Sequence, residues 1–208
     1  MSRARGWPAV LTEGSVRLRP QRLRDGAAWV ASRSRNVDWL HEWEATPPKG
    51  SPGVPTSPAT FVAMTRRLRR DARAGLGLPF VIEVDGEFAG QLNVSGITRG
   101  SLHSASLGYW IDQRFAGRGV MPTAVALVTD HCFDVVGLHR VEVNIRPENA
   151  ASRRVVEKLG FREEGLRRRF LHIAGEWRDH LSYALVAEDV SIGVLMRWRR
   201  TQSQRRTN

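Results

Sequence analysis

One stretch limits the choice of fold more than any other. Residues 120–137, "VMPTAVALVTDHCFDVVG", read as a long apolar helix, and alternating, strand-like patterns stand on both sides of it. "HSASLGYWID" (103–112) comes before and "HRVEVNIRP" (139–147) after. Strands alternating with an apolar helix describe an α/β layer structure. The junction into the helix is unusual: "RFAGRGVM" (114–121) sets Gly117 and Gly119 around Arg118.

The rest of the chain extends the pattern. "GSVRLRP" (14–20) alternates as a half-buried strand that Pro20 ends, and residues 22–36 follow as a helix. "WLHEWEATPPKGSPGVPTSP" (39–58) runs from aromatic residues into a long Pro/Gly/Ser loop of the kind that forms a functional lid or stays disordered. Residues 59–75 are helical, with Gly75 as the cap. In "PFVIEVDGEFAGQLNVSGI" (79–97) two β-rich runs flank Asp85-Gly86, a hairpin signature. Residues 149–160 form a helix ended by Gly160, and 161–186 two strands around a turn at Ala174-Gly175. There is no internal repeat. The order predicts one mixed α/β (α+β) domain over residues 15–187. A flexible N-terminus (1–14) is expected before it, and a basic extension (188–208) after it.

Composition narrows the class. No apolar run in the 208 residues approaches the ~18 that a membrane-spanning helix needs. The N-terminus lacks the apolar core of a secretory signal. The single cysteine, Cys132, excludes an internal disulfide and fits a reducing compartment, so a cytoplasmic protein without membrane contact is expected. The net charge of +11 suits polyanionic partners, such as a ribosome, nucleic acid or a phosphate-rich cofactor. Only Lys49 and Lys158 are lysines, so a general arginine bias would give the same balance. The histidines show no metal-ligand spacing, and no metal is expected.

The glycine junction carries chemistry. A helix N-terminus leaves backbone N–H groups unpaired and bears about half a positive charge. Gly117 and Gly119 leave that end bare for a phosphate, Arg118 adds a formal charge, and Pro122 suits the first turn. The competing reading is a strand-to-helix turn that needs positive φ.

Two further motifs, "RPENAAS" (146–152) and "KLGF" (158–161), follow in order. With "WLHEWE", "RGSLHSASLGYWI", "AGRGVM" and "GEWRDHLSYAL" they resemble the GNAT superfamily of acetyl-CoA-dependent N-acetyltransferases. Within it the chain is similar to the RimJ-type ribosomal-protein-alanine N-acetyltransferases. The resemblance spans residues 16–187 and implies a mostly antiparallel sheet of about seven strands flanked by helices. It implies acetyl-CoA as acetyl donor, held by Tyr109, Trp110, Ile111, Gly117, Arg118, Gly119, Val120, Met121 and Asn149. Tyr109 and Trp110 alternate in direction, so at most one of them is expected to line the cleft. The tyrosine that many relatives place seven residues after the Asn is Val156 here. Ser152 is therefore expected to protonate the leaving thiolate, with Asn149 orienting the coenzyme arm; helix capping is the competing role for both. A backbone N–H on strand 107–111 is the expected oxyanion donor.

For the acceptor amine, Glu44 beside Trp39 and Trp43 is one candidate base, and Glu142 with Asn144 could hold a water. Trp39, Trp43, Glu142, Trp177 and Asp179 are the expected acceptor-binding residues. The expected reaction is direct transfer to the N-terminal amine of a protein, a ribosomal protein with a small first residue such as Ala. A small-molecule amine such as an aminoglycoside is the alternative acceptor. A non-catalytic ribosome- or RNA-binding factor is the alternative of another class. The arginines of the tail (Arg197, Arg199, Arg200, Arg205, Arg206) are expected to make weak nucleic-acid contacts, and deletion of 197–208 to leave peptide turnover intact.

Overall fold

The computed structural model describes residues 5–51 and 55–207, with side chains described as far as residue 204. Its centre is one eight-stranded sheet in the order β1-β2-β3-β4-β5-β6-β8-β7. The strands are β1 (Leu11–Glu13), β2 (Val16–Pro20), β3 (Gly77–Val84), β4 (Glu87–Thr98), β5 (Ser104–Ile111), β6 (Arg140–Ile145), β7 (Arg162–Ile173) and β8 (Glu176–Val186). The helices are α1 (Gly26–Arg35), α2 (Val37–His41), α3 (Pro58–Arg73), α4 (Val120–Asp130), α5 (Ala150–Leu159) and α6 (Val194–Thr207). All strand pairs are antiparallel except β5 with β6, the pair that α4 connects.

Local chemistry explains the turns that the sequence marks. Asp85 and Gly86 both take positive φ, 50° and 83°, as a tight hairpin between β3 and β4 demands. α5 starts at Asn149, whose side chain accepts from the Ser152 amide, and stops at Gly160 with φ of 83°. The expected helix 120–137 is α4 followed by a wider π turn over His131–Val136.

The core lies between the sheet and α4, α5 and α6. Leu92, Leu107, Val141, Val143 and Leu185 on the sheet meet Ala124, Val125, Val128, Val156 and Trp198 on the helices, all buried. Val156 is therefore a packing residue. Cys132 is buried too, and burial pushes its thiol up to about 12, so it is a core group rather than a nucleophile. On the other face, α1 and α3 cover β3 and β4 through Trp29, Phe61, Val81 and Phe88.

Both chain ends depart from expectation. Among the described residues of the expected flexible N-terminus, Trp7 is buried edge-on to Phe80 at 5.4 Å, and Leu11–Glu13 form the eighth strand. Three residues are too few to show an alternating pattern. The extension after 187 folds back as α6. Asp130 caps it, accepting from Val194 N at 2.6 Å and Leu195 N at 3.0 Å. Arg197 donates to the carbonyls of Leu159 and Asp189, and Arg199 pairs with Glu13 of β1. Two of the arginines expected to meet RNA therefore hold the helix in place; the side chains of Arg205 and Arg206 lie outside the described residues.

Candidate functional site

The site begins where two strands part. β5 and β6 pair from Ser104↔Arg140 to Leu107↔Val143, and no further. Gly108–Ile111 and Asn144–Ile145 continue without each other, so the sheet opens into a V. Asp112 N donates to Ala89 O on β4 at 2.8 Å. By the strand's alternation, Tyr109 and Ile111 turn their backbone groups the other way, into the opening. There the Ile111 carbonyl accepts from Trp39 Nε1 at 3.1 Å.

The glycine junction closes one end of the opening. Gly117 and Gly119 have φ of 74° and 78°, so the turn requires glycine, as the structural reading held. It also leaves the helix end bare: a Cβ on Gly117 would meet nothing within 4 Å. The first helical bond at this end runs from Thr123 N to Gly119 O, so the amides before Thr123 stand outside the ladder. The approach to the loop is pinned by the buried Asp112. Burial alone would raise its pKa, but hydrogen bonds from Arg114, Arg35, the Arg114 amide and Ser32 overcome that and hold it well below the usual carboxylate range.

These elements enclose a cavity of ≈ 530 Å³ between the open end of β5, the glycine loop, α2 and α5. Of the expected residues, Trp39, Trp43, Tyr109, Trp110, Ile111, Gly117, Gly119, Val120, Met121, Asn149 and Ser152 border it. Tyr109 and Trp110 both do so, although their side chains diverge. The Trp110 indole donates to Gln91 Oε1 at 3.0 Å, whereas the Tyr109 and Ser152 hydroxyls lie 2.9 Å apart. Burial pushes the Tyr109 phenol up to about 12, against the opposing effect of its bond with Ser152, so it keeps its proton through the neutral range.

The remaining expected residues lie elsewhere. Arg118 is exposed, with its guanidinium 5.7 Å from the Phe115 ring. Glu44 pairs with Arg33, which stacks over Trp29 and Trp110. Glu142 has one oxygen on Arg140 at 2.7 Å and the other on Arg167 at 3.0 Å. Asp179 accepts from the Arg169 amide in the β7 bulge, and Trp177 is exposed beside His172. Asn144 stands on the far face of the opened sheet.

Three charged cavity residues carried no signal noticed in the sequence. Arg154 and Lys158, one helical turn apart on α5, add positive charge near the loop, and Glu148 is the one carboxylate bordering the cavity among the described residues. The spacing of Arg154 and Lys158 was legible; which face of α5 met the cleft was not.

The sheet thus splits beside a glycine-capped helix N-terminus, with a hydroxyl pair at the split. Comparison with known proteins makes this specific. The chain belongs to the GNAT acetyltransferase family: the family model described as "Acetyltransferase (GNAT) domain" matches residues 15–162. It is an N-acetyltransferase by that membership and by its relatives. It is 30% identical over 175 residues to the probable N-acetyltransferase YjcK of Bacillus subtilis, covering 84% of this chain and 96% of that one. It is 36% identical over 107 residues to the [ribosomal protein uS5]-alanine N-acetyltransferase of Escherichia coli, covering 51% of this chain and 55% of the relative. Among solved structures, Mycobacterium smegmatis RimJ in complex with CoA-disulfide superimposes with a TM-score of 0.91 at 42% identity, covering 95% and 97% of the two chains. No helix among the described residues is long and apolar enough to cross a membrane.

Proposed function

We propose that this protein transfers the acetyl group of acetyl-CoA directly to the N-terminal amine of a protein, a ribosomal protein with a small first residue such as Ala or Ser. The observation that carries the reading is the opening of β5 from β6 directly beside the bare N-terminus of α4. The residues fit the coenzyme. Amides from Gly117 to Met121 suit a pyrophosphate, and Arg154 and Lys158 suit its further phosphate. The coenzyme supplies an activated acetyl thioester. One relative named above, the [ribosomal protein uS5]-alanine N-acetyltransferase, points to ribosomal protein as the acceptor.

The protein's own part is to place groups and move protons. The backbone N–H groups of Tyr109 and Ile111, turned into the opening, can meet negative charge growing on the acetyl oxygen. As the N–C bond forms and the C–S bond breaks, nitrogen must lose a proton and sulfur must gain one. Ser152 donates to sulfur and takes a proton from the Tyr109 phenol 2.9 Å away, and because burial disfavours the phenolate, Tyr109 regains a proton from water in the same turnover. Asn149 spends its oxygen on the Ser152 amide, which leaves its NH2 to orient the coenzyme arm. The amine's proton goes to water, because Glu44 and Glu142 are both held by arginines. A weak acceptor of protons suffices for an α-amine. Deprotonation at pH 7 costs about 1 kcal/mol for a pKa near 7.7, against about 4.6 for lysine near 10.4.

The test is mass spectrometry of a peptide carrying an N-terminal Ala and an internal Lys, incubated with acetyl-CoA and the protein. Acetylation of the α-amine is expected. Preferential lysine acetylation, or turnover on an aminoglycoside with none on the peptide, refutes the assignment.

A further inference from the structure

The sheet face opposite the coenzyme cavity holds two side chains with no stated purpose. The side-chain oxygens of Asn93 and Asn144 are shut off from solvent and accept no hydrogen bond among the described residues. Other buried atoms without a partner belong to side chains bonded elsewhere: Arg33 to Glu44, Arg178 to Glu176, Asp189 to Arg162. Asn93 and Asn144 show no side-chain hydrogen bond among the described residues, although a buried, unpaired amide oxygen costs free energy.

Register brings the two together. Asn93 lies opposite Gly108, and Ser95 opposite Ser106. Ser106 lies opposite Glu142, the last residue but one before the strands part, and Asn144 follows two residues on. Residues directly opposite, and residues two apart, share a face. Asn93, Gly108 and Asn144 therefore form one row across the opening, on the face away from Leu107, Val143 and α5. Gly108 is exposed, and a Cβ there would meet nothing within 4 Å, so the centre of the row is open.

We propose that Asn93 and Asn144 receive the acceptor's neutral primary amine, one N–H on each amide oxygen, above Gly108. This deepens the acetyl-transfer reading and rests on it. A neutral amine has two N–H donors and one lone pair. With both donors held on this face, the lone pair points through the gap towards the cavity side, where the acetyl group must lie to be attacked. The charged groups sharing the face suit a neutral amine. Arg140 and Arg167 occupy the oxygens of Glu142. His180, on the same face of β8 as Ser182 opposite Asn144, has its pKa lowered by burial, which favours the uncharged ring. Of the other carboxylates acting on His180 among the described residues, Glu148 pairs with Arg146 and Asp179 accepts from the Arg169 amide, so each is already engaged.

The test compares Asn93→Ala, Asn144→Ala and the isosteric Asn144→Asp in the full chain. An Ala-initiated peptide is the acceptor, and acetyl-CoA binding is followed separately by calorimetry. Each alanine variant should lose about tenfold or more in peptide kcat/KM, the effect of one polar contact, with acetyl-CoA Kd within about twofold of the parent. Asn144→Asp should move the rate–pH profile to higher pH, because a carboxylate there stabilises the charged amine, whereas Asn144→Ala should lower the profile without moving it. Peptide kcat/KM within about twofold of the parent in both alanine variants, or acetyl-CoA affinity falling in parallel, overturns the proposal. If the parent acetylates a small amine and no peptide, the acceptor assignment fails by itself, and the same variants scored on that amine still decide the subsite.

Discussion

Removing the indole of Trp198 should damage both stability and coenzyme binding, although the residue lies outside the family match. Trp198 is 4% exposed, on a helix packed against α4. Its Nε1 donates to Thr123 Oγ1 at 2.9 Å, and that hydroxyl donates to Gly119 O at 3.0 Å. The indole edge and Gln202 also lie 3.5 and 3.4 Å from where a Cβ on Gly119 would stand. The C-terminal helix thus backs the loop that we assign to the pyrophosphate. Trp198→Ala empties a core site, at about 3–5 kcal/mol. In a domain of this size each kcal/mol is worth about 2–4 °C in Tm, so a fall of about 6–20 °C is expected. Trp198→Phe keeps most of the packing and loses one hydrogen bond, about 1 kcal/mol and a few degrees. Thermal unfolding and acetyl-CoA calorimetry measure both effects. Deletion of 197–208 should then be as harmful as the alanine variant, the reverse of the expectation that this deletion leaves peptide turnover intact. An alanine variant that melts within about 2 °C of the parent and binds acetyl-CoA equally well would refute the buttress.

Gly119→Glu should abolish measurable acetyl-CoA binding in calorimetry while circular dichroism shows a folded protein. It sets a carboxylate at the helix N-terminus, at φ of 78°, against Trp198 and Gln202. Tyr109→Phe and Ser152→Ala should each lower kcat with little change in acetyl-CoA Kd, and the double variant should be no worse than the poorer single one, because the two hydroxyls act in series. The phenol's raised pKa favours the protonated form in the folded state, so Tyr109 contributes stability that is lost as pH rises from about 10 towards about 12; the Phe variant should lack that part of the alkaline loss in a Tm–pH series. Asp112 has the opposite sign. Its lowered pKa contributes stability above the ordinary carboxylate range that is lost as pH falls below about 4, and Asp112→Asn should flatten that acid limb of the stability curve.

Turns, caps and periods are local, and the sequence displayed them. Asp85-Gly86 defines a hairpin through the positive φ values that this pair favours, and Asn149 and Gly160 mark the ends of α5 with their own backbone chemistry. The glycine junction marked a positive-φ turn into α4 for the same reason, and ordered motifs announced the family. Partner choice is not local. Glu44 and Glu142 looked available as bases until folding set arginines against them. Ser152 gained its phenol from 43 positions away, and Arg199 found Glu13 across 186. A run such as "RWRR" reads as a solvated basic tail in one dimension. Only packing reveals that Trp198 fills a core site and that Arg197 and Arg199 tie the helix down. The two unpaired asparagines lie deepest in this class. Their meaning comes from the place where β5 and β6 stop pairing, and that place is set by which strands the whole sheet brings side by side.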